Sequence, residues 1–214
     1  MSELWKQKIN EEVSRMFEMN IVRTDDDGVK EQFKMISDHM KQTAENTQLL
    51  IELDRQKGYN QYIGVDPEIA WIAGRLHDLA DLDEGKPGYN RWDRSDHVKR
   101  SVKYASQLLD SIGYNKVEPK KTQKILEIIG IHDVYESIED LDNETTVVVE
   151  GDALWKYSAK GIAPTKKIVE RRFSKKFKSD AEYIEGLRER KKKWFKTRIG
   201  NEIADQYLAD ATAK

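Results

Sequence analysis

The four histidines of this 214-residue chain, His39, His77, His97 and His132, each fall on a different stretch of helical periodicity. That distribution constrains the fold more than any single motif does. His77 is followed directly by Asp78, and Asp152 closes the series on a later stretch. A chain that gathers its whole imidazole supply with two carboxylates has the makings of a metal site. Such a donor set suits Mn, Fe, Ni, Co or Zn, and several carboxylates also suit Mg. Closing the site requires four or five helices to converge, which a compact bundle provides. The expected fold class is therefore all-α. Adjacent residues on a regular helix diverge by about 100°. His77 and Asp78 can thus face one ion only if it lies between their directions, commonly close to a helix end.

The helical pattern runs nearly throughout. Residues 2–18 read as a first helix. Asp25-Asp26-Asp27-Gly28 is a turn with helix-start chemistry, and Val29, Phe33, Ile36 and Met40 then carry His39 on a helix expected to reach Leu53. Asp66-Pro67-Glu68 supplies a capping aspartate, a proline at the first helical position and an acid in the first turn. Ile69, Ile72, Ala73, Leu76 and Ala80 form the stripe beside His77. A polar loop follows over residues 83–95, with Ser95 as the expected cap of the next helix. That helix carries His97 in its first turn and stops at Gly113; Pro119 opens another, with His132 at its end. Residues 133–145 read as a polar connection. Val147-Val148-Val149 has strand propensity, but its continuation through Asp152 and Trp155 favours a helix. Pro164 and Ser179 begin two more.

Composition narrows the function classes. Charged residues make up 36% and hydrophobic residues 38%, enough for one core. Cysteine is absent, which excludes disulfides and thiolate metal sites. Met1-Ser2-Glu3-Leu4-Trp5-Lys6 has no basic segment leading into an apolar one, so no signal peptide is expected, and a cytoplasmic location fits. No apolar run approaches the roughly 20 residues of a membrane helix, so no membrane partner is expected. The net charge of −2 hides an asymmetry. Residues 151–214 carry 17 Lys/Arg against 9 Asp/Glu, and residues 1–150 carry 20 against 30. A basic C-terminal region packed on an acidic body explains this; attraction of an anionic substrate is the sharper reading. The run from Arg188 to Lys193 lacks the interleaved aromatics of a stacking platform, so nucleic acid is not the expected partner.

The order His, His-Asp, His, His, Asp resembles the HD-domain superfamily of metal-dependent phosphohydrolases. The resemblance covers roughly Ser37 to Ala163. It is carried by Asp38-His39, Leu76-His77-Asp78, Asp96-His97, Ile131-His132-Asp133 and Glu150-Gly151-Asp152-Ala153-Leu154. It implies a single HD-domain helical bundle over residues 1–214. The motif-bearing core would span about 29–163, with helical extensions at both ends, the C-terminal one basic and covering about 164–214. It further implies that His39, His77, Asp78 and Asp152 hold one divalent ion. Asp78 would bridge to a second, held by His97 and His132. Many members have lysine three residues after the metal aspartate, whereas this chain has Asp81. Some HD nucleotidases carry an acid there as general acid or base; the alternative for Asp81 is to hold Lys86 or an arginine.

The implied function is hydrolysis of a phosphate ester or anhydride, in a nucleotide or other small phosphorylated metabolite. Lys156, one turn after Asp152, is a candidate phosphate contact or a surface ion pair. Arg100, one turn after His97, stands likewise. Arg91, Arg94 and Lys86 are candidates by their place in the long loop. Trp71, Trp155 and Trp194 read most simply as core or interface residues. Two other functions share the ligand pattern: a di-iron HD oxygenase, and a non-catalytic nucleotide-binding regulatory module. Substrate and oligomeric state have no motif to announce them.

Overall fold

A computed structural model describes residues 3–83, 86, 88, 90, 93–134, 136–174 and 176–213, with backbone alone at 171–173. Among these residues there are ten α-helices and no strands. In order they are α1 (Glu3–Arg23), α2 (Asp27–Gln56), α3 (Pro67–Leu76), α4 (Arg94–Ser111), α5 (Tyr114–Val117), α6 (Pro119–Ile131), α7 (Asn143–Tyr157), α8 (Ile162–Phe173), α9 (Asp180–Trp194) and α10 (Arg198–Thr212). Short 3₁₀ turns occupy Leu79–Asp83 and Ile138–Asp140. No helix among the described residues is long and apolar enough to cross a membrane.

The helix starts follow the capping chemistry, with two corrections. Helix α8 begins at Ile162, two residues before Pro164, and has no side-chain cap; proline fits there because amides of the first turn have no intrahelical acceptor. Asp26 accepts from the amides of Gly28 and Val29, Asp66 from that of Glu68, and Ser179 from that of Glu182. Asp93, not Ser95, caps α4, accepting from the amide of Asp96 at 3.1 Å. A carboxylate satisfies that amide and complements the positive helix N-terminus as well, an advantage a serine lacks. Helix α1 continues past residue 18 to Arg23, and α2 past Leu53 to Gln56. The short α5, after the left-handed Gly113 (φ 82°), and α10, capped by Thr197, are additions to the sequence reading. Val147, Val148 and Val149 are helical and all buried. Enclosure by neighbouring helices outweighs a β propensity worth only tenths of a kcal/mol per residue.

The long α2 lies against both α3 and α7, while α4 packs on α6 and on the 79–83 turn. Two glycines set the closeness of these approaches. A Cβ on Gly74 would come within 3.2 Å of the Ala44 backbone, and one on Gly151 within 2.9 Å of the Thr47 methyl. The absent side chains let α3 and α7 settle directly on one stretch of α2. Asn46, buried in the same seam, donates to the Gly151 carbonyl oxygen at 2.9 Å. Histidine 39 lies one turn before this stretch; His77 and Asp152 follow the glycines by three residues and one. The seam therefore brings three candidate ligands together.

The C-terminal helices are joined to α7 through Glu150, which is fully buried. Its carboxylate accepts from the amides of Lys196 and Thr197, both at 2.8 Å, from the Thr197 hydroxyl at 2.6 Å, and from the Tyr62 hydroxyl. Burial pushes the Glu150 carboxyl up, with the Thr197 and Tyr62 hydrogen bonds opposing.

Candidate metal centre

Six side chains from five helices meet in one place. His39 comes from α2, His97 from the beginning of α4 and Asp152 from the middle of α7. His77 is the C-terminal cap of α3 and His132 that of α6. Asp78 follows at the point where the α-helix gives way to the 3₁₀ turn. The change of path there lets adjacent His77 and Asp78 serve one centre.

The geometry divides into two sets sharing Asp78. Its Oδ2 lies 3.3 Å from His39 Nε2 and 3.4 Å from His77 Nε2. Asp152 Oδ1 completes this set, 3.1 Å from His39 Nε2 and 3.7 Å from His77 Nε2. On the other side, Asp78 Oδ1 lies 2.9 Å from His97 Nε2 and 3.4 Å from His132 Nε2. In each histidine set with Asp78, one ligand atom per residue falls within 4.8 Å of the others. All six residues that the motif singles out are therefore together.

The donor chemistry fits divalent metal. His77 Nδ1 lies 2.9 Å from the Gly74 carbonyl oxygen, and His132 Nδ1 lies 2.7 Å from that of Ile129. A carbonyl only accepts, so each Nδ1 carries the hydrogen. In the neutral ring Nε2 then turns a lone pair toward the oxygens of Asp78. Buried lone pairs facing one another repel unless positive charge sits among them. The same demand is visible at the other two rings. Burial pushes His39 down, but Asp152 and Asp78 outweigh it and raise it to about 9. At His97 burial is likewise outweighed, chiefly by Asp78, and the ring is raised to about 9. Asp78 is held well below the carboxylate range, the histidines around it overcoming its burial.

The residues around the ligands are placed less uniformly. Lys156 stands 2.7 Å from Oδ2 of Asp152 and 5.5 Å above the Trp194 ring. Trp155 lies against His39, with centroids 5.5 Å apart. Arg94 reaches the Asp133 carbonyl oxygen at 3.1 Å, beside His132. Arg100 and Lys86 meet at Asp83 instead, at 3.0 and 2.8 Å, and Arg100 also pairs with Asp96 at 2.6 Å. Asp83 accepts from Tyr104 as well, and these partners hold its carboxyl below the usual range against its burial. Neither Asp83 nor Glu150 was legible as an organising residue, since each looks like one acid among many. Arg91 lies outside the described residues. Asp81 is fully buried, with Oδ1 3.7 Å from Nδ1 of His97.

A family model for the HD domain matches residues 36–212. The chain belongs to the HD-domain family. No curated protein and no solved structure matches it. The HD domain is typical of metal-dependent phosphohydrolases that bind divalent ions, and the His/Asp cluster lies within the matched region. The match also takes in α8, α9 and the whole of α10.

Proposed function

We propose that this HD-domain protein hydrolyses a phosphate ester or anhydride in a nucleotide or other small phosphorylated metabolite, using two divalent ions. The observation that carries the reading is the division of Asp78, one oxygen toward His39 and His77 and the other toward His97 and His132. His39, His77, Asp78 and Asp152 would hold one ion, and Asp78, His97 and His132 the other. When bound, the ions supply activation of water near neutral pH and neutralisation of charge on phosphoryl oxygens.

The chain's own residues supply position and field. His77 and His132 are locked in one tautomer by helix-end carbonyls, so their donor nitrogens need no reorganisation. Lys156 can shift from Asp152 to a phosphoryl oxygen without leaving the rim. Arg94 stands at the opposite rim beside Asp133. The excess of positive charge over residues 151–214 favours an anionic substrate reaching this side. A small soluble substrate and a cytoplasmic setting belong to the same reading, with neither membrane nor nucleic acid as partner.

Phosphate release from a panel of nucleotides and other phosphorylated metabolites, each with Mn, Co, Ni, Mg and Fe, tests the proposal. Turnover of at least one substrate that disappears on chelation is expected. No release with any metal, together with oxygen uptake and a mixed-valent EPR signal in the iron-loaded protein, would replace it with the oxygenase reading.

A further inference from the structure

Each histidine of the centre uses Nε2 inward, which leaves Nδ1 to be held from behind. His77 and His132 sit at helix C-terminal caps, where the last carbonyls lack intrahelical partners. Their Nδ1 atoms use the carbonyls three residues back, those of Gly74 and Ile129. His39 is in the interior of α2, and its buried Nδ1 has no hydrogen-bond partner among the described residues. His97 differs from all three. It lies in the first turn of α4, four residues after the Asp93 cap. The nearest cap carbonyl, that of Asp93, already accepts from the His97 amide at 2.8 Å.

Asp81 stands behind the His97 ring. Its carboxylate has no solvent exposure and stands 3.7 Å from Nδ1, while Nε2 on the far side meets Asp78 at 2.9 Å. An approach of less than about 1 Å would bring it to ordinary hydrogen-bond distance. The 3₁₀ turn fixes this placement, with the Asp81 amide donating to the Asp78 carbonyl oxygen at 3.0 Å. In a 3₁₀ turn residues three apart eclipse. Asp78 and Asp81 therefore leave the backbone on one side and enclose the His97 ring between them.

We infer that Asp81 is a positioning residue, acting through His97 and not on the substrate: it accepts from Nδ1–H, aims Nε2 at the second ion and raises that nitrogen's basicity. A carboxylate behind a ligating imidazole strengthens metal binding in this way, and its loss typically costs about 10–100-fold in affinity. The inference rests on the two-ion reading of the centre.

The test is calorimetric titration of metal-free full-length protein with Co(II), together with the Co(II) absorption spectrum. Wild type should take up two ions. Asp81→Leu should weaken the second ion by about 10–100-fold and leave the first unchanged. Asp81→Asn should fall between, because its carbonyl still accepts but carries no charge. In a His97→Ala background neither change should matter further. Two unaltered binding steps in Asp81→Leu, or equal weakening of both, would overturn the inference alone. Loss of turnover in Asp81→Asn with both steps intact would also overturn it, making Asp81 a reacting group. Wild type that takes up a single ion overturns the two-ion reading and the inference with it. Should the leucine variant not fold, long-range ¹⁵N spectra of zinc-loaded wild type still decide. The His97 signal, identified by its loss in His97→Ala, must show protonated Nδ1 and ligating Nε2; the reverse tautomer excludes the role.

Discussion

Lys156 places its ammonium 2.7 Å from Oδ2 of Asp152, one turn away on α7, while Oδ1 of the same aspartate faces His39 at 3.1 Å. The two oxygens thus divide between the metal set and the rim. Burial would push the Asp152 carboxyl up, but Lys156 and then His39 hold it below the usual range. A cation this close to a ligand weakens the pull of that ligand on an ion, and under the proposed function it is the contact for a phosphoryl group.

Lys156→Met separates the two effects. Without the ammonium, Asp152 should bind the first ion at least as tightly as in wild type. The KM for the phosphorylated substrate should rise about tenfold, equivalent to 1.4 kcal/mol. Steady-state kinetics with metal analysis provides the check. An unchanged KM would leave Lys156 as a surface ion pair.

Asp78 is the one ligand common to both sets, so its loss should do the most damage. Asp78→Ala should abolish hydrolysis and reduce bound metal below one ion per chain. His97→Ala should retain an ion at His39, His77, Asp78 and Asp152. Elemental analysis distinguishes these outcomes. Metal addition should raise the Tm of wild type and of His97→Ala but not that of Asp78→Ala, because ions that bind only the folded chain stabilise it.

The α2–α7 seam predicts an effect at a residue with no chemistry of its own. Gly151→Ala would set a methyl 2.9 Å from the Thr47 methyl and 3.2 Å from the Thr43 carbonyl oxygen. Overpacking of this kind costs about 1–3 kcal/mol. Because Asp152 is the next residue and His39 lies on the opposing helix, first-ion affinity should fall too. Urea denaturation and metal titration of the variant give both readings, and wild-type behaviour in both would remove the seam as a determinant of the site.

Asp142, the cap of α7, carries a pH dependence independent of metal. Burial raises its carboxyl, but Lys124 at 2.6 Å and the Thr145 amide at 2.8 Å more than offset this and lower it. A lowered carboxylate adds stability that is fully present above its unfolded pKa, near 3.9, and is lost as pH falls through the lower folded value. Asp142→Asn retains a capping oxygen and loses the charge. In chelator-treated protein its Tm should lie below that of wild type at pH 7, and the two should begin to converge only as pH falls below about 4. A constant difference across that range would show that the carboxylate's charge adds no stability.

The helical class was legible because apolar residues recur at helical spacing, and because aspartates and prolines stand where helices begin. Asp66-Pro67 and Ser179 start their helices as expected. The candidate ligands were legible because imidazole is scarce in this chain and its order along the sequence is distinctive. Less visible were the residues that share their type with many others. Asp83 and Glu150 acquire their roles only by facing Arg100 and Tyr104, or Tyr62 and Thr197, across the fold. The cap at Asp93 was missed because Ser95 is an equally good local candidate, and helix boundaries are set by backbone path as much as by side-chain type.

What the sequence determined by itself was a local matter: which segments become helices, and which side chains can donate to metal. The tertiary structure decided how the donors divide. Whether Asp78 serves one set or two depends on the path of the chain between α3 and the 3₁₀ turn, and on how closely Gly74 and Gly151 let three helices approach. The orientation of each imidazole likewise depends on where in its helix it falls. A helix end leaves carbonyls open to hold His77 and His132, a helix interior leaves none for His39, and a helix start leaves His97 facing Asp81. Helix periodicity can place a histidine on a face, but the partner behind its ring comes from another part of the chain, and only packing brings the two together.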